Sequence, residues 1–221
     1  MSCPVSVGLV DMSIANLRRD YSGEPFDEAH ADANPFRQFS AWFDQVLLVE
    51  DEPTAMALAT ATRDGRPSVR TVLLKGVDDT GFVFFTNYHS RKAREVEQTG
   101  RASLLFLWRT VVRQVRIDGQ VERVTDAESD AYFATRPVES RWSVYASRQS
   151  EPIESREALE SRHAITRAKY GDAVPRPRWW GGYRVVPDEF EFWQGRESRL
   201  HDRLQYCRRT DGTWLRERLA P

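Results

Sequence analysis

The chain has 221 residues, 32 of them Lys or Arg and 33 Asp or Glu, so the net charge is −1. That length buries a real core within one domain, and the charge balance lacks the basic excess of a dedicated nucleic-acid binder. No apolar run approaches the ~20 residues of a membrane helix, no signal-like leader opens the chain, and two cysteines, Cys3 and Cys207, make no disulfide framework. A cytoplasmic, soluble protein is the expectation. Only three basic residues are lysines (Lys75, Lys92, Lys169), an arginine bias that background composition explains.

In chain order, residues 1–12 read as an unstructured lead-in and 13–221 as a single domain. Phe36, Phe39, Phe43, Val46 and Leu47 carry helical spacing, which Pro53 closes. Ala55 to Thr62 reads as a strand, followed by a turn with Asp64-Gly65 at its centre and a second strand from Ser68 to Lys75. After a turn at Asp78 to Gly81 comes a strand at Phe82 to Thr86. A short helix follows from Ser90 to Gln98, stopped by Gly100. Strands are expected at Ala102 to Trp108 and Val111 to Val124, the second alternating in polarity. Helical patterns occupy about 126–135 and 154–169. A loop from Pro175 to Gly182 leads to two strands, Tyr183–Val186 and Glu189–Trp193, and a final hairpin spans Arg203 to Leu219. Strands predominate without alternating one-for-one with helices. The fold class is therefore mostly β with peripheral helices (α+β), an antiparallel barrel or sandwich.

Nucleotide-loop and nucleophile-elbow motifs are absent, and four scattered histidines lack metal-ligand spacing. An anion or cofactor site must then come from side chains on strands and helix ends. Ser90 is a natural N-cap, which puts Arg91 and Lys92 in the first helical turn, where cations are disfavoured by ~0.3–1 kcal/mol each. A bound phosphate reverses that sign. The alternative is surface pairing of Arg91 with Glu95; Arg70, Lys75 and Thr86 nearby favour phosphate. In the segment from Trp193 to Arg203, an extended backbone would put Arg199, His201 and Arg203 on one side. The alternative there is a solvated face partnered by Glu197 and Asp202, while Trp193 offers a flat wall for a ring. Tyr132, Arg136 and Ser140 add hydroxyl and guanidinium donors.

These residues carry a resemblance. Arg70 to Lys75, Phe85-Thr86-Asn87, Ser90-Arg91-Lys92, Arg113-Gln114-Val115, Tyr132 with Arg136-Pro137, Gln149-Ser150, Trp180-Gly181-Gly182, Glu191 to Gly195 and Arg199 to Arg203 resemble, in order, the pyridoxamine 5′-phosphate oxidase family of FMN-binding split β-barrels. The likeness runs from about Leu17 to Pro221. It implies a homodimer with FMN sites at the subunit interface. The implied FMN contacts are Arg70, Thr71, Val72, Leu73, Leu74, Lys75, Phe85, Thr86, Arg91, Lys92, Gln114, Gln149, Ser150, Trp193 and Arg203. The implied substrate contacts are Lys75, Tyr132, Arg136 and Ser140 at a phosphate, with Arg199, Leu200 and His201 at the pyridine ring. Arg18-Arg19-Asp20-Tyr21 resembles the segment that closes over the substrate. Arg199 and His201 take the catalytic, electrostatic role. The implied reaction oxidises pyridoxine or pyridoxamine 5′-phosphate to pyridoxal 5′-phosphate, with dioxygen as acceptor and hydrogen peroxide as product.

One stretch departs from the family pattern. Arg141-Trp142-Ser143-Val144-Tyr145 stands where the family is small and apolar, which bears on substrate preference and interface packing. Rival readings are a phenazine-type FMN oxidase and a non-catalytic flavin-binding or haem-binding split barrel. An RNA-contacting protein fits the neutral charge worst.

Overall fold

Asn34 precedes Pro35, and its side-chain oxygen accepts the Phe36 N–H at 2.9 Å, so the first helix starts on a proper cap. In the computed structural model, which describes residues 20–221, helix α1 spans Pro35–Val46 and buries Phe36, Phe39, Trp42 and Val46. Phe43 stacks on Phe39 at 5.5 Å, whereas Leu47 lies beyond the helix, half exposed. The lead-in 1–12, Arg18 and Arg19 lie outside the described residues.

The strands are β1 (Ala55–Ala61), β2 (Pro67–Leu73), β3 (Gly76–Asp78), β4 (Gly81–Asn87), β5 (Arg101–Trp108), β6 (Arg113–Arg123), β7 (Trp180–Gln194), β8 (Asp202–Arg208) and β9 (Trp214–Arg218). All pair antiparallel in one sheet ordered β2-β1-β5-β6-β7-β4-β3, with β8 and β9 branching from β7. The branch defines the architecture. One edge of β7 is paired along its length by β6, while the other is shared, first by β4 and then by β8. The sheet curls around Phe39, Phe82, Phe106, Phe190, Phe192 and Tyr206, each inaccessible to solvent. This is the mostly β split barrel expected.

Four local expectations need correction. The loop from Pro175 to Gly182 ends earlier, because Trp180, Gly181 and Gly182 already pair with Asn87, Thr86 and Phe85. The two strands at 183–186 and 189–193 are one strand, β7. It runs through Pro187 because the register shifts between Asp118 and Gly119, so a bulge absorbs the missing N–H. Gly119 is required there, since a Cβ would collide with the Val186 carbonyl oxygen. Strand β3 was not expected, and its three residues are held only by β4.

Helix α4 was also unforeseen. Helices α2 (Arg91–Thr99), α3 (Asp126–Thr135) and α5 (Arg156–Tyr170) follow their cap signals, with Ser90, Thr125 and Ser155 as N-caps. Helix α4 (Val138–Ala146) has no side-chain cap, and its buried residues Trp142, Val144 and Ala146 fall at a spacing of two, which hides the helical period. Trp142 faces the chain's own second core, with Phe133, Val174 and Trp180, and donates from Nε1 to the Gly171 carbonyl at 2.7 Å. Among the described residues no helix is long and apolar enough to cross a membrane.

Candidate active site

Strands β2 and β4, the start of α2, the α3–α4 junction and residues 149–150 enclose a cleft of about 740 Å³. Its lining includes Arg70, Thr71, Val72, Leu73, Lys75, Phe85, Thr86, Arg91, Lys92, Tyr132, Arg136, Ser140, Gln149 and Ser150, which joins most of the expected cofactor residues with the expected phosphate donors. Leu74 is the exception on this side, its side chain 5% exposed within the core.

The charge here is uneven. Ser90 Oγ accepts the Ala93 N–H at 3.4 Å, and Gly100 closes α2 in the left-handed region at φ 67°, so α2 starts where Arg91 and Lys92 meet the cleft. Lys92 is 8% exposed, and among the described residues its Nζ donates only to Thr86 Oγ1 at 3.2 Å and Ser90 Oγ at 3.5 Å. Among the described residues no carboxylate pairs with Lys92, Lys75 or Arg136. Burial, assisted by the charge of Arg70, lowers the Lys92 pKa to about 8. A buried cation without a counter-ion is costly, and an anion in the cleft removes that cost. The alternative partner of Arg91 is real but was misplaced: Arg91 Nε donates to Glu95 Oε1 at 2.8 Å, and Glu95 is buried, not on the surface.

Two rings of the lining, Phe85 and Tyr132, stack on each other, and Trp180 of the second core backs Phe85. Phe85 lies 4.0 Å from Tyr132 at 18° between planes and 5.6 Å from Trp180 at 15°. Arg136 sits over Trp180 with Cζ 4.8 Å from the ring, and donates from Nη2 to the Ser140 carbonyl at 3.0 Å. Its Nε is buried without a partner, and burial lowers its pKa. Ser150 holds φ 72°, a left-handed backbone uncommon for a residue with a side chain. An orphaned guanidinium N–H, an unpaired buried ammonium and a flat aromatic wall fit a phosphorylated planar ligand.

The second expected group lies elsewhere. None of Gln114, Trp193, Arg199, Leu200, His201 and Arg203 lines the cleft. Rings of Tyr21, Trp193 and His201 cluster, with Trp193 and His201 4.7 Å apart and Tyr21 5.8 Å from Trp193. The Arg196 N–H donates to His201 Nδ1 at 3.1 Å, which leaves the imidazole proton on Nε2. Burial, then the Arg199 charge, lowers the His201 pKa. The extended backbone that would put Arg199, His201 and Arg203 on one side does not form at Arg199, because Glu197–Arg199 form a 3₁₀ turn with Ser198 and Arg199 at φ 55° and 60°. Arg203, at the start of β8, instead pairs Nε with Glu191 Oε1 at 2.7 Å and gives Nη1 to the Ala220 carbonyl at 2.7 Å. Leu200 is 70% exposed. Gln114 stands opposite Trp193 across β6 and β7, and Asp20 is exposed.

Sequence reasoning missed Trp180 as the buried backing of the Phe85 ring, and Glu95, Thr60 and Ser68 as the support of the cleft. Ser68 and Arg70 share a face of β2 at period two, a signal for that support available in the sequence.

A curled antiparallel sheet carrying a cation-lined cleft with stacked aromatic rings defines a split-barrel protein. Residues 44–169 match the family model described as pyridoxamine 5′-phosphate oxidase, and residues 180–221 match that described as the pyridoxine 5′-phosphate oxidase C-terminal dimerisation region. The chain belongs to the pyridoxamine 5′-phosphate oxidase family. It is 57% identical over 210 residues, 94% of this chain and 96% of the relative, to a pyridoxine/pyridoxamine 5′-phosphate oxidase of Rubrobacter xylanophilus. Among solved structures it is similar to PhzG from Burkholderia lata, in complex with tetrahydrophenazine-1-carboxylic acid, at TM-score 0.85 and 37% identity over 90% of this chain and all of that one (100%). A pyridoxamine 5′-phosphate oxidase-related, FMN binding protein from Nostoc punctiforme shares the fold at TM-score 0.69 and 20% identity, over 85% of this chain and 98% of that one.

Proposed function

We propose that this protein is an FMN-dependent oxidase that converts pyridoxine and pyridoxamine 5′-phosphates to pyridoxal 5′-phosphate. The observation that carries this reading is the likeness over nearly the whole chain, at 57% identity, to a relative of that name. The cleft supplies what the reaction needs. Arg91 and Lys92 hold the cofactor phosphate, with Thr86, Gln149 and Ser150 around it. Lys75, Tyr132, Arg136 and Ser140 take the substrate phosphate, with the stacked rings of Phe85 and Tyr132 as an apolar wall. Two phosphates explain why cations converge in a chain of nearly zero net charge.

FMN, when bound, supplies the two-electron acceptor that dioxygen regenerates, with hydrogen peroxide as product. The protein's part is binding, orientation and charge placement. His201, with Nδ1 engaged by the Arg196 N–H, presents an Nε2–H donor of fixed direction to the substrate ring. Arg199, exposed on its strained turn, supplies a positive charge beside it. Gln114, Trp193, Arg199, His201 and Arg203 complete the site from the second subunit of a homodimer, a reading supported by the match to the dimerisation region and by their separation from the cleft within one chain.

Aerobic turnover of pyridoxine 5′-phosphate, read as aldehyde and peroxide formation by protein reconstituted with FMN, tests the proposal. Protein that takes up no FMN overturns it. The PhzG likeness favours a second reading, a phenazine-type oxidase, which is the outcome if bound flavin is not reduced anaerobically by pyridoxine 5′-phosphate but is reduced by tetrahydrophenazine-1-carboxylic acid.

A further inference from the structure

Beneath the cleft a carboxylate is walled in. Glu95, on α2, is 2% exposed, and its Oε1 accepts Arg91 Nε at 2.8 Å. Its Oε2 accepts from Thr60 Oγ1 at 2.5 Å, from Arg70 Nη2 at 3.3 Å and from the Ser68 hydroxyl. Burial opposes the charge, yet hydrogen bonds from Ser68, Thr60, Arg91 and Arg70 outweigh it and bring the pKa down to about 2.

The two arginines are used differently. Arg70 turns inward: Nη1 donates to the Leu58 carbonyl at 3.1 Å and Thr60 Oγ1 at 2.5 Å, and Nη2 to Ser68 Oγ at 2.5 Å and to Glu95. Only its Nε is left. Arg91 gives Glu95 its Nε alone, so both Nη groups stay free on a side chain 58% exposed at the cleft. With Lys92 there are three cations against one carboxylate, an excess of two positive charges. That matches a phosphate monoester above its second pKa of about 6.

We propose that Glu95 is a positioning residue for the cofactor phosphate. Anchored from below by Arg70, Thr60 and Ser68, it fixes the Arg91 guanidinium by its Nε edge and directs the free Nη groups, beside Lys92, at the phosphate of FMN. Arg70 accordingly serves as the counter-ion of Glu95 more than as a ligand contact. The inference rests on the FMN reading above and adds the residue that aims the clamp.

Riboflavin has the same ring without the phosphate, so it separates aiming from general structure. Apoprotein is titrated with FMN and with riboflavin in parallel, following quenching of flavin fluorescence. Glu95→Gln keeps the shape and removes the charge; its FMN Kd is expected to rise about 10- to 100-fold, the range for a charge-assisted hydrogen bond, with riboflavin Kd unchanged. An equal loss for both flavins, or no loss for FMN, overturns the proposal and leaves the FMN reading standing. Wild-type apoprotein that binds neither flavin overturns both. Arg91→Lys is the second variant, because this exposed side chain keeps its charge but loses the Nε donor. The same phosphate-specific loss is expected, with little added by combining the two substitutions. FMN binding by Arg91→Lys equal to wild type overturns the proposal whether or not Glu95→Gln folds.

Discussion

Lys92 stores the tension of this site. Its ammonium is buried with two hydroxyl partners, so the apoprotein pays for a charge that only a ligand anion compensates. The direction with pH follows. The folded-state pKa is depressed to about 8 from 10.5, so above about 8 the folded apoprotein releases a proton that the unfolded chain keeps up to about 10.5. Over that window the Lys92 contribution to apoprotein stability rises with pH, while FMN affinity falls as the cation is lost. Urea unfolding and flavin titration from pH 7 to 10 check both trends, and Lys92→Met is expected to abolish this contribution to each. At the second group, Arg199→Ala is expected to lower turnover about a hundredfold, the scale of one electrostatic donor, with flavin retained. Flavin content measured with kcat separates the two effects, and loss of flavin in that variant would show that the two sites are wrongly partitioned.

At the level of elements, β7 sets the geometry, because among the described residues it alone pairs with three strands. Phe85 on β4 lines the cleft with Gly182 opposite it, and a Cβ at Gly182 would press on the Phe85 ring. Farther along, the bulge at Gly119 lets β7 continue through Pro187 toward Trp193. Gly119→Ala drives a methyl into a backbone oxygen that cannot retreat without breaking the ladder. A loss of about 1–3 kcal/mol in unfolding free energy is expected, measured by urea denaturation, with FMN affinity of the folded fraction less affected. The α2 cap shows how local these devices are. Ser90 and Gly100 fix where the helix starts and stops, and so bring two cations into its first turn against their electrostatic preference.

For the whole molecule, the decisive fact is that the second group of expected site residues does not line the cleft of one chain. If each site takes one group from each subunit, two inactive variants damaged in different groups should complement. Lys92→Met and Arg199→Ala chains, unfolded together and refolded, are expected to recover about a quarter of wild-type activity, since half of randomly paired dimers are mixed and each holds one intact site. No recovery above the parent variants means both groups act within one chain. Within the unusual Arg141–Tyr145 stretch, Trp142 is turned into the second core, while Ser143 and Val144 line a smaller pocket that shares Phe85, Thr86, Arg136 and Gln149 with the cleft.

Much of this was legible without tertiary structure because the signals are local. The cap at Ser90, the glycine stop at Gly100 and the alternation along β6 act through neighbours a few residues away. The cation pairs Arg91-Lys92 and Arg199-His201 were visible for the same reason, as clusters in the chain. Tertiary structure alone decided their environments. Glu95 became a buried anchor through Ser68 and Thr60, 27 and 35 residues distant, and Arg203 was drawn to Glu191 across a strand pair. Helix α4 took its form from packing on a core its own spacing does not announce. Side-chain identity determines which charges are present, but burial and partnership determine their energy, and both are set by contacts far apart in the chain.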